Sequence, residues 1–305
     1  MVGVVGGSPP PLPTPNHREA ALPDGPAPLT TAETILRLRA RLAHAQRIMW
    51  EFRRQLLDAR ERAAEARHVS LALRDAILPD PGGSIRLPSA HIAVRYVPAE
   101  KASSLGGDWY EATALPDGEV LLAIGDVAGH GLPAIAQMAQ LRHALVGLAM
   151  TGERADRLLA WLNGLVCHRM GEEGTATAVI GHLEPVSGLF TWAQAGHLPP
   201  ILVRDGVARQ LSPPDGVLLG TTLDLPYALS SLSLRPGDLL LLFTDGLVER
   251  RGRDIDEGLA LTVAAAETLA WDACLESKLD TLVESVGGPN PEDDICLLAV
   301  GVLEG

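Results

Sequence analysis

Residues 119–131 read EVLLAIGDVAGHG, and residues 237–246 read GDLLLLFTDG. Each stretch contains an unbroken apolar run followed by an aspartate, Asp126 in the first and Asp245 in the second. A run that is apolar on both faces predicts a strand buried between layers. An aspartate at the end of one strand is most often a turn or cap residue. Because both predicted strands end in an aspartate, the two aspartates could belong to one functional site.

Short apolar segments of the strand type dominate the chain around these two stretches. Strands are expected at 91–97, 120–127, 177–183, 189–195, 200–203, 232–234, 239–244 and 295–302. Helical patterns are expected at 133–150, 155–170, 258–271 and 273–286. Because the helices come in two consecutive pairs between groups of strands, the pattern favours an α+β fold over a regular βαβ alternation. Residues 90–305 are therefore interpreted as one domain.

The chain before residue 90 has a different character. Residues 1–29 are rich in Pro and Gly and predict a disordered tail, and residues 79–89 are interpreted as a linker. Residues 30–78 contain no Gly or Pro, and Thr30 with Glu33 fits a helix-capping box.

Apolar or small residues recur in residues 30–78 with alternating steps of three and four, which predicts a long coiled-coil-like helix. They are Ile35, Leu38, Leu42, Ala45, Met49, Phe52, Leu56, Ala59, Ala63, Ala66, Ser70, Leu73 and Ile77. We favour homodimerisation or regulation through residues 30–78. A helix laid on its own domain is the alternative.

Charge and composition exclude several classes of protein. The chain has 305 residues and a net charge of −13, which argues against nucleic-acid binding through bulk charge. Residues 31–78 hold ten arginines and six acidic residues, so the remainder carries −17. No apolar run reaches the ~18 residues of a membrane span, and no secretory signal is visible, so a cytoplasmic protein is expected. The three cysteines are widely spaced, and no P-loop or GxSxG motif occurs.

Acidic residues flank the predicted strands at further positions. Asp108 lies in GGDWY, and the pair Asp293–Asp294 precedes the strand ICLLAV. If the fold brought these residues to Asp126 and Asp245, their repulsion would have to be relieved by raised pKa values or by bound cations. A ligand set made only of oxygen favours Mg²⁺ or Mn²⁺. Two such ions can bind phosphate and activate a water molecule.

Five segments carry a resemblance to a known family. They are RYVPAEKASSLGGDWYEATALPDG (95–118), LLAIGDVAGHGLPAIAQMAQLRHAL (121–145), TWAQAGHLPPILV (191–203), LLLLFTDGLVERR (239–251) and PEDDICLLAVG (291–301). In this order the segments resemble the SpoIIE-like, or RsbU-like, branch of the metal-dependent PPM (type-2C) serine/threonine protein phosphatases. The resemblance implies an αββα sandwich with two Mn²⁺ or Mg²⁺ ions at one end of the sheets.

The resemblance also implies roles for single residues. Asp126 matches the acid that bridges both metals, and the main-chain carbonyl of Val127 matches a further ligand. Asp108 matches the acid on the first metal. The ligands of the second metal are matched by Asp245 and Asp293, and Asp294 is a further candidate. Asp126, Asp108 and Asp245 are thus the expected catalytic residues, acting through an activated water on phosphoserine or phosphothreonine.

The family further implies a regulatory substrate, an anti-sigma-factor antagonist with a STAS domain. Two other functions stay open: a catalytically silent module that binds the antagonist, and a two-metal nuclease, which the charge of −17 disfavours.

Several motifs allow a second interpretation. GHGLPA at 129–134 fits the loose dinucleotide pattern GxGxxA, but a helix is expected where a Rossmann fold needs a strand. His197 is interpreted as a residue that holds a loop by hydrogen bonds, and the role of His130 stays open. Trp109 and Tyr110 are expected to pack in the core or a loop.

Overall fold

A computed structural model describes residues 30–79, 84–99, 106–170, 174–223, 225–269 and 275–303 of the chain. The predicted tail at 1–29 and part of the predicted linker at 79–89 lie outside these residues. By compactness the chain divides into two units, residues 1–58 and residues 59–305. No helix in the described part of the chain is long and apolar enough to cross a membrane.

The predicted long helix is confirmed as α1 (Thr31–Ile77). It begins with the expected capping box, in which the Glu33 amide donates to Thr30 Oγ1 and the Thr30 amide donates to Glu33 Oε2. Every side chain from residue 30 to residue 66 is exposed, including Leu42 (60%) and Phe52 (69%). The apolar seam, meaning the predicted apolar or small residues at steps of three and four, is exposed in this part of the helix.

The last turns of α1 pack on the domain that follows. Ser70 and Arg74 are buried, and the Arg74 guanidinium lies 4.8 Å from the ring centre of Tyr96. Arg67 donates to the carbonyl of Ala99 at 3.0 Å. Ser70 belongs to the predicted seam and is already buried, so the seam cannot pack against a partner helix over its whole length. Only its part before residue 67 is fully exposed.

Two antiparallel sheets form the centre of the domain. The first has the strand order β1-β2-β11-β10-β7-β8, and the second has the order β3-β4-β5-β6-β9. The strands are β1 (Ile85–Arg86), β2 (Ala90–Val97), β3 (Trp109–Ala114), β4 (Val120–Val127), β5 (Ala176–Glu184), β6 (Leu189–Ala195), β7 (Ile201–Arg204), β8 (Val207–Gln210), β9 (Ser230–Ser233), β10 (Leu239–Phe243) and β11 (Ile295–Val302).

Two helix pairs cover these sheets. The pair α2 (Gly131–Ala149) and α3 (Ala155–Arg169) packs on the second sheet, and the pair α4 (Ile255–Glu267) and α5 (Leu275–Val286) packs on the first. Side chains of β4, β5, β10 and β11 are almost entirely buried, as their apolar sequences predict. The arrangement is the expected αββα sandwich of an α+β fold, preceded by the long helix.

Some element boundaries differ from those expected. Strand β3 was not predicted, because WYEATA mixes aromatic and polar residues. Strand β8 was missed because only one of its side chains is buried. Helix α4 begins three residues earlier than expected, since the side chain of Asp254 accepts a hydrogen bond from the Asp256 amide and caps the helix there.

Candidate metal centre

The fold gathers three aspartates that are far apart in sequence. Carboxylate oxygens of Asp108, Asp126 and Asp245 all lie within 4.8 Å of one another. Asp108 immediately precedes β3, Asp126 lies at the end of β4, and Asp245 begins a 3₁₀ turn after β10. The cluster therefore forms at one end of the sandwich, where strand ends of the two sheets meet. Asp126 and Asp245, which the sequence suggested as parts of one site, do lie together.

Strand pairing explains why these ends coincide. Strands β3 and β4 pair so that Trp109 lies opposite Gly125, which places Asp108 beside Asp126. In the other sheet, Phe243 pairs with Leu297, so the residues after β10 lie beside those before β11. Register alone thus brings the Asp245 turn next to the Asp293–Asp294 pair.

Glycines allow the backbone to approach closely here. A Cβ on Gly107 would overlap the carbonyl oxygen and side chain of Val127. A Cβ on Gly246 would overlap the carbonyl of Asp294. The GGD and TDG motifs therefore carry glycine for steric reasons at the site itself. Val127 is buried beside Gly107, and its carbonyl as a metal ligand stays a prediction.

Thr244 is a site residue that the sequence analysis missed. Its hydroxyl donates to Asp108 Oδ2 at 2.6 Å and accepts the Cys296 amide at 2.9 Å. Thr244 is fully buried, so this contact fixes the Asp108 carboxylate across the two sheets. The sequence did carry a signal for this role. Thr244 is a polar residue at the end of an apolar strand, directly before Asp245.

Asp294 has a different environment from the clustered aspartates. Its Oδ2 accepts hydrogen bonds from the Tyr96 hydroxyl at 2.6 Å and the Gly106 amide at 2.8 Å. Its Oδ1 accepts the Ala99 amide at 2.7 Å. The side chain is fully buried and lies outside the group of three acids. These bonds hold the backbone before Asp108, and the assignment of Asp294 as a metal ligand stays a prediction.

Asp293 faces the cluster more directly. Its Oδ1 accepts the Asp294 amide at 2.9 Å, and its carboxylate is close enough to Asp245 to be affected by that charge. Burial, with the neighbouring Asp245 carboxylate second, raises the pKa of Asp293 to about 7. Its assignment as a ligand of the second metal stays a prediction.

The clustered acids hold their protons unusually strongly. Burial, and after it the charges of Asp245 and Asp293, raise the pKa of Asp126 to about 8. Burial and the Asp126 charge raise the pKa of Asp108 well above its usual range. Burial also raises the pKa of Asp245. Repulsion of this kind is relieved by protons or by cations.

The donor set fits a hard divalent cation. All three clustered side chains offer carboxylate oxygen, which Mg²⁺ and Mn²⁺ prefer. Asp245 Oδ1 is buried and has no hydrogen-bond partner among the described residues. An orphaned carboxylate oxygen at this point is the atom that a cation would satisfy.

The two histidines near the site are distinct. His197 is buried, its Nε2 lies 3.1 Å from the Phe243 carbonyl, and its Nδ1 lies 2.7 Å from Thr177 Oγ1. Because a carbonyl only accepts, Nε2 donates and Nδ1 accepts, and the loop-holding role is confirmed. His130 is exposed at the start of α2, where its side chain makes no capping bond. Trp109 and Tyr110 are buried in the core, as expected.

Comparison with known proteins assigns the family. Residues 116–303, more than half of the chain, match the family described as "Stage II sporulation protein E (SpoIIE)". The chain belongs to the SpoIIE family. Among curated proteins, this SpoIIE-family chain is 32% identical over 152 residues to phosphoserine phosphatase RsbU of Bacillus subtilis (strain 168). That match covers 49% of this chain and 45% of RsbU, so the chain spans less than half the length of this relative.

Solved structures agree with the SpoIIE assignment. The RsbU and RsbW domains of Rv1364c from Mycobacterium tuberculosis share 35% identity at a TM-score of 0.64, over 74% of this chain and 64% of that one. The PP2C phosphatase domain of SpoIIE from Bacillus subtilis, with a fragment of its regulatory domain, has 15% identity and a TM-score of 0.59. That match covers 90% of this chain and 98% of the other, and it shows the shared PP2C fold.

Proposed function

We propose that this protein is a metal-dependent phosphatase that hydrolyses phosphoserine or phosphothreonine on a regulatory protein. The observation that carries the proposal is the group of three carboxylates within 4.8 Å, contributed by both sheets. Membership of the SpoIIE family and similarity to a phosphoserine phosphatase support it.

Two Mn²⁺ or Mg²⁺ ions are the proposed cofactors. Asp108, Asp126 and Asp245 would hold them, with Asp293 and the Val127 carbonyl as further ligands. When bound, such ions supply positive charge for the phosphate group and lower the pKa of a bound water. The protein's own part is to keep the ligands in place. Because the pKa values of these carboxyl groups are raised, they must also release protons when the metal ions bind.

The residues around the cluster support that part. Thr244 fixes one Asp108 oxygen, and Gly107 lets the Asp108 segment lie against Val127. Burial of Asp108 keeps bulk water from competing for its carboxylate, while Asp126 and Asp245 are only partly covered and can meet a substrate. Asp108, Asp126 and Asp245 are thus the proposed catalytic residues.

The proposed substrate is a phosphorylated STAS-domain antagonist in a partner-switching pathway. The proposal extends the family resemblance and the similarity to RsbU. The exposed seam of α1 supports a second proposal, homodimerisation through the part of this helix before residue 67. Sedimentation should give a dimer for the full chain and a monomer for Leu42→Glu. A monomer in both would contradict the dimer.

Phosphate release decides between an enzyme and a silent binding module. The protein should hydrolyse p-nitrophenyl phosphate and a phospho-STAS protein only when Mn²⁺ or Mg²⁺ is added. Asp126→Asn should abolish both activities while keeping the fold, as judged by circular dichroism. Asp215→Asn, an exposed aspartate outside the cluster, is the matched control. Metal-saturated protein that binds the phosphoprotein without releasing phosphate would identify a binding module instead.

A further inference from the structure

Helix α1 carries a second line of residues beside the apolar seam. This second stripe repeats with the same alternating steps of three and four, so its members also share one face of the helix. Over residues 36–60 it comprises Leu36, Arg39, Ala43, Gln46, Trp50, Arg53, Leu57 and Arg60. None of these residues belongs to the seam. A dimer that packs through the seam therefore leaves the large apolar residues of the second stripe uncovered.

The large apolar residues of the second stripe are exposed to solvent. Leu36 is 72% exposed, Trp50 is 71% exposed and Leu57 is 56% exposed. A shallow groove of about 410 Å³ lies along this part of the helix, and its lining consists of Trp50, Glu51, Arg53, Arg54, Leu57 and Asp58. Single exposed apolar residues are ordinary, but large ones that recur along one face of a helix mark a contact surface.

The charged residues of the second stripe are all arginines. Arg39, Arg53 and Arg60 form no hydrogen bond or ion pair with any other residue that the structure describes. The acidic residues in this part of α1 are Glu51 and Asp58. Glu51 precedes Arg53 by two residues, as Asp58 precedes Arg60, so each acid points about 160° away from that arginine. The positive charge of the second stripe is therefore not compensated within α1.

We propose that the second stripe binds an acidic amphipathic helix of a partner protein. A helix fits because apolar residues at heptad spacing match the contacts that two helices make when they lie side by side. Residues 36–60 extend over about 36 Å, which is the length of a partner helix of about 25 residues. Carboxylates that flank the apolar face of that helix would pair with the unpaired arginines, because the planar guanidinium group suits a carboxylate.

The charges of α1 disfavour two other occupants of the second stripe. A second copy of this chain is disfavoured because two such stripes packed together contain arginines and no acidic residue. An anionic membrane is disfavoured because apolar and charged residues are only weakly segregated around α1 as a whole. Helices that lie on membranes separate them strongly.

Fluorescence anisotropy with labelled synthetic helices of about 25 residues tests the proposal. The three probes share an apolar heptad pattern and carry Glu, Gln or Lys at the flanking positions. The full chain should bind the Glu peptide about tenfold more tightly than the Gln peptide, as three exposed ion pairs predict, and the Lys peptide most weakly. Higher salt should reduce the preference for the Glu peptide.

Matched arginine variants show whether the charge is read by the second stripe. Arg39→Gln combined with Arg53→Gln should lower the preference for the Glu peptide to about twofold, because one arginine of the stripe remains. Arg37 and Arg47 are exposed arginines of α1 outside the stripe. Arg37→Gln combined with Arg47→Gln should therefore keep the wild-type preference.

Matched apolar variants distinguish the second stripe from the seam. Trp50→Ser combined with Leu57→Ser should weaken the binding of all three peptides by about tenfold or more. Met49→Ser combined with Leu56→Ser removes the neighbouring residues of the seam and should leave peptide binding unchanged. Circular dichroism should show the same helix content in both variants.

Several results would overturn the proposal. They are equal affinity for the Glu and Gln peptides, an unchanged preference in the Arg39 and Arg53 variant, and a loss of binding in the seam variant alone. Sedimentation and flotation with phosphatidylserine vesicles test the other occupants. A smaller oligomer in the Trp50 and Leu57 variant than in the wild type would identify a second copy as the occupant. Vesicle binding that this variant loses would identify a membrane, and either result would reject an acidic partner helix.

Discussion

The metal-free protein should lose stability as the pH rises from 5.5 to 7.5. In this range an unfolded chain carries Asp126 as a carboxylate, because its ordinary pKa is 3.8. The folded protein keeps the proton, because burial and the charges of Asp245 and Asp293 raise the pKa of Asp126 to about 8. The folded state thus binds more protons, and the free energy of unfolding falls with rising pH.

The size of the effect follows from the proton count. One proton of difference changes the free energy of unfolding by about 1.4 kcal/mol per pH unit, so Asp126 alone should account for about 2–3 kcal/mol over the two units. Asp293, with a pKa raised to about 7, adds a further loss in the same direction over the same range. Above pH 8 the contribution of Asp126 levels off, because both states are then ionised.

Urea unfolding of chelator-treated protein, followed by circular dichroism at pH 5.5, 6.5 and 7.5, measures this slope. Asp126→Asn should flatten it, whereas Asp215→Asn should keep the wild-type slope. Saturating Mn²⁺ should raise stability most at pH 7.5, where the carboxylates ionise most readily against the cation. A wild-type stability that is flat or rises over this range, or an equal slope in Asp126→Asn, would show that folded Asp126 does not retain its proton.

Four further predictions concern single residues of the domain. Arg142→Ala should lower the free energy of unfolding by about 3 kcal/mol in urea, because it leaves Glu111, its ion-pair partner at 2.6 Å, buried without a counter-charge. Gly107→Ala should weaken Mn²⁺ binding in calorimetry because its Cβ collides with β4. Gly147→Ala, in open space on α2, should instead stabilise the fold by up to about 1 kcal/mol. His197 should stay neutral in NMR titrations between pH 5.5 and 8, since burial lowers its pKa to about 4; a charged imidazole at pH 6 would contradict this.

Apolar patterning was sufficient to predict the central strands. Strands β4 and β11 begin and end where expected, and their apolar runs are buried on both faces, as such runs predict. Strand β3 was not predictable in this way. It buries Glu111, whose carboxylate pairs with Arg142 of α2 and accepts a hydrogen bond from the Thr113 hydroxyl, and the contact with Arg142 exists only in the folded molecule. The end of α1 shows the same limit, since Ser70 fits the seam yet packs on the domain.

Site residues could be predicted from the sequence where the residue type and its position beside a strand indicated the function. Aspartates beside predicted strands pointed to Asp108, Asp126 and Asp245, and the family resemblance added their expected roles as metal ligands. Thr244 was missed because its role depends on a hydrogen bond to a residue 136 positions earlier. Without the family resemblance, the residues alone could not separate Asp293 from Asp294, and only the folded structure shows the three donors that surround Asp294.

Anomalous X-ray diffraction from crystals grown in saturating Mn²⁺ would show whether the clustered aspartates hold two metal ions. We expect two manganese peaks about 3.5–4 Å apart, both within bonding distance of the carboxylates of Asp108, Asp126, Asp245 or Asp293. Crystals that show these side chains turned away from one another, with no anomalous peak between them, would contradict it.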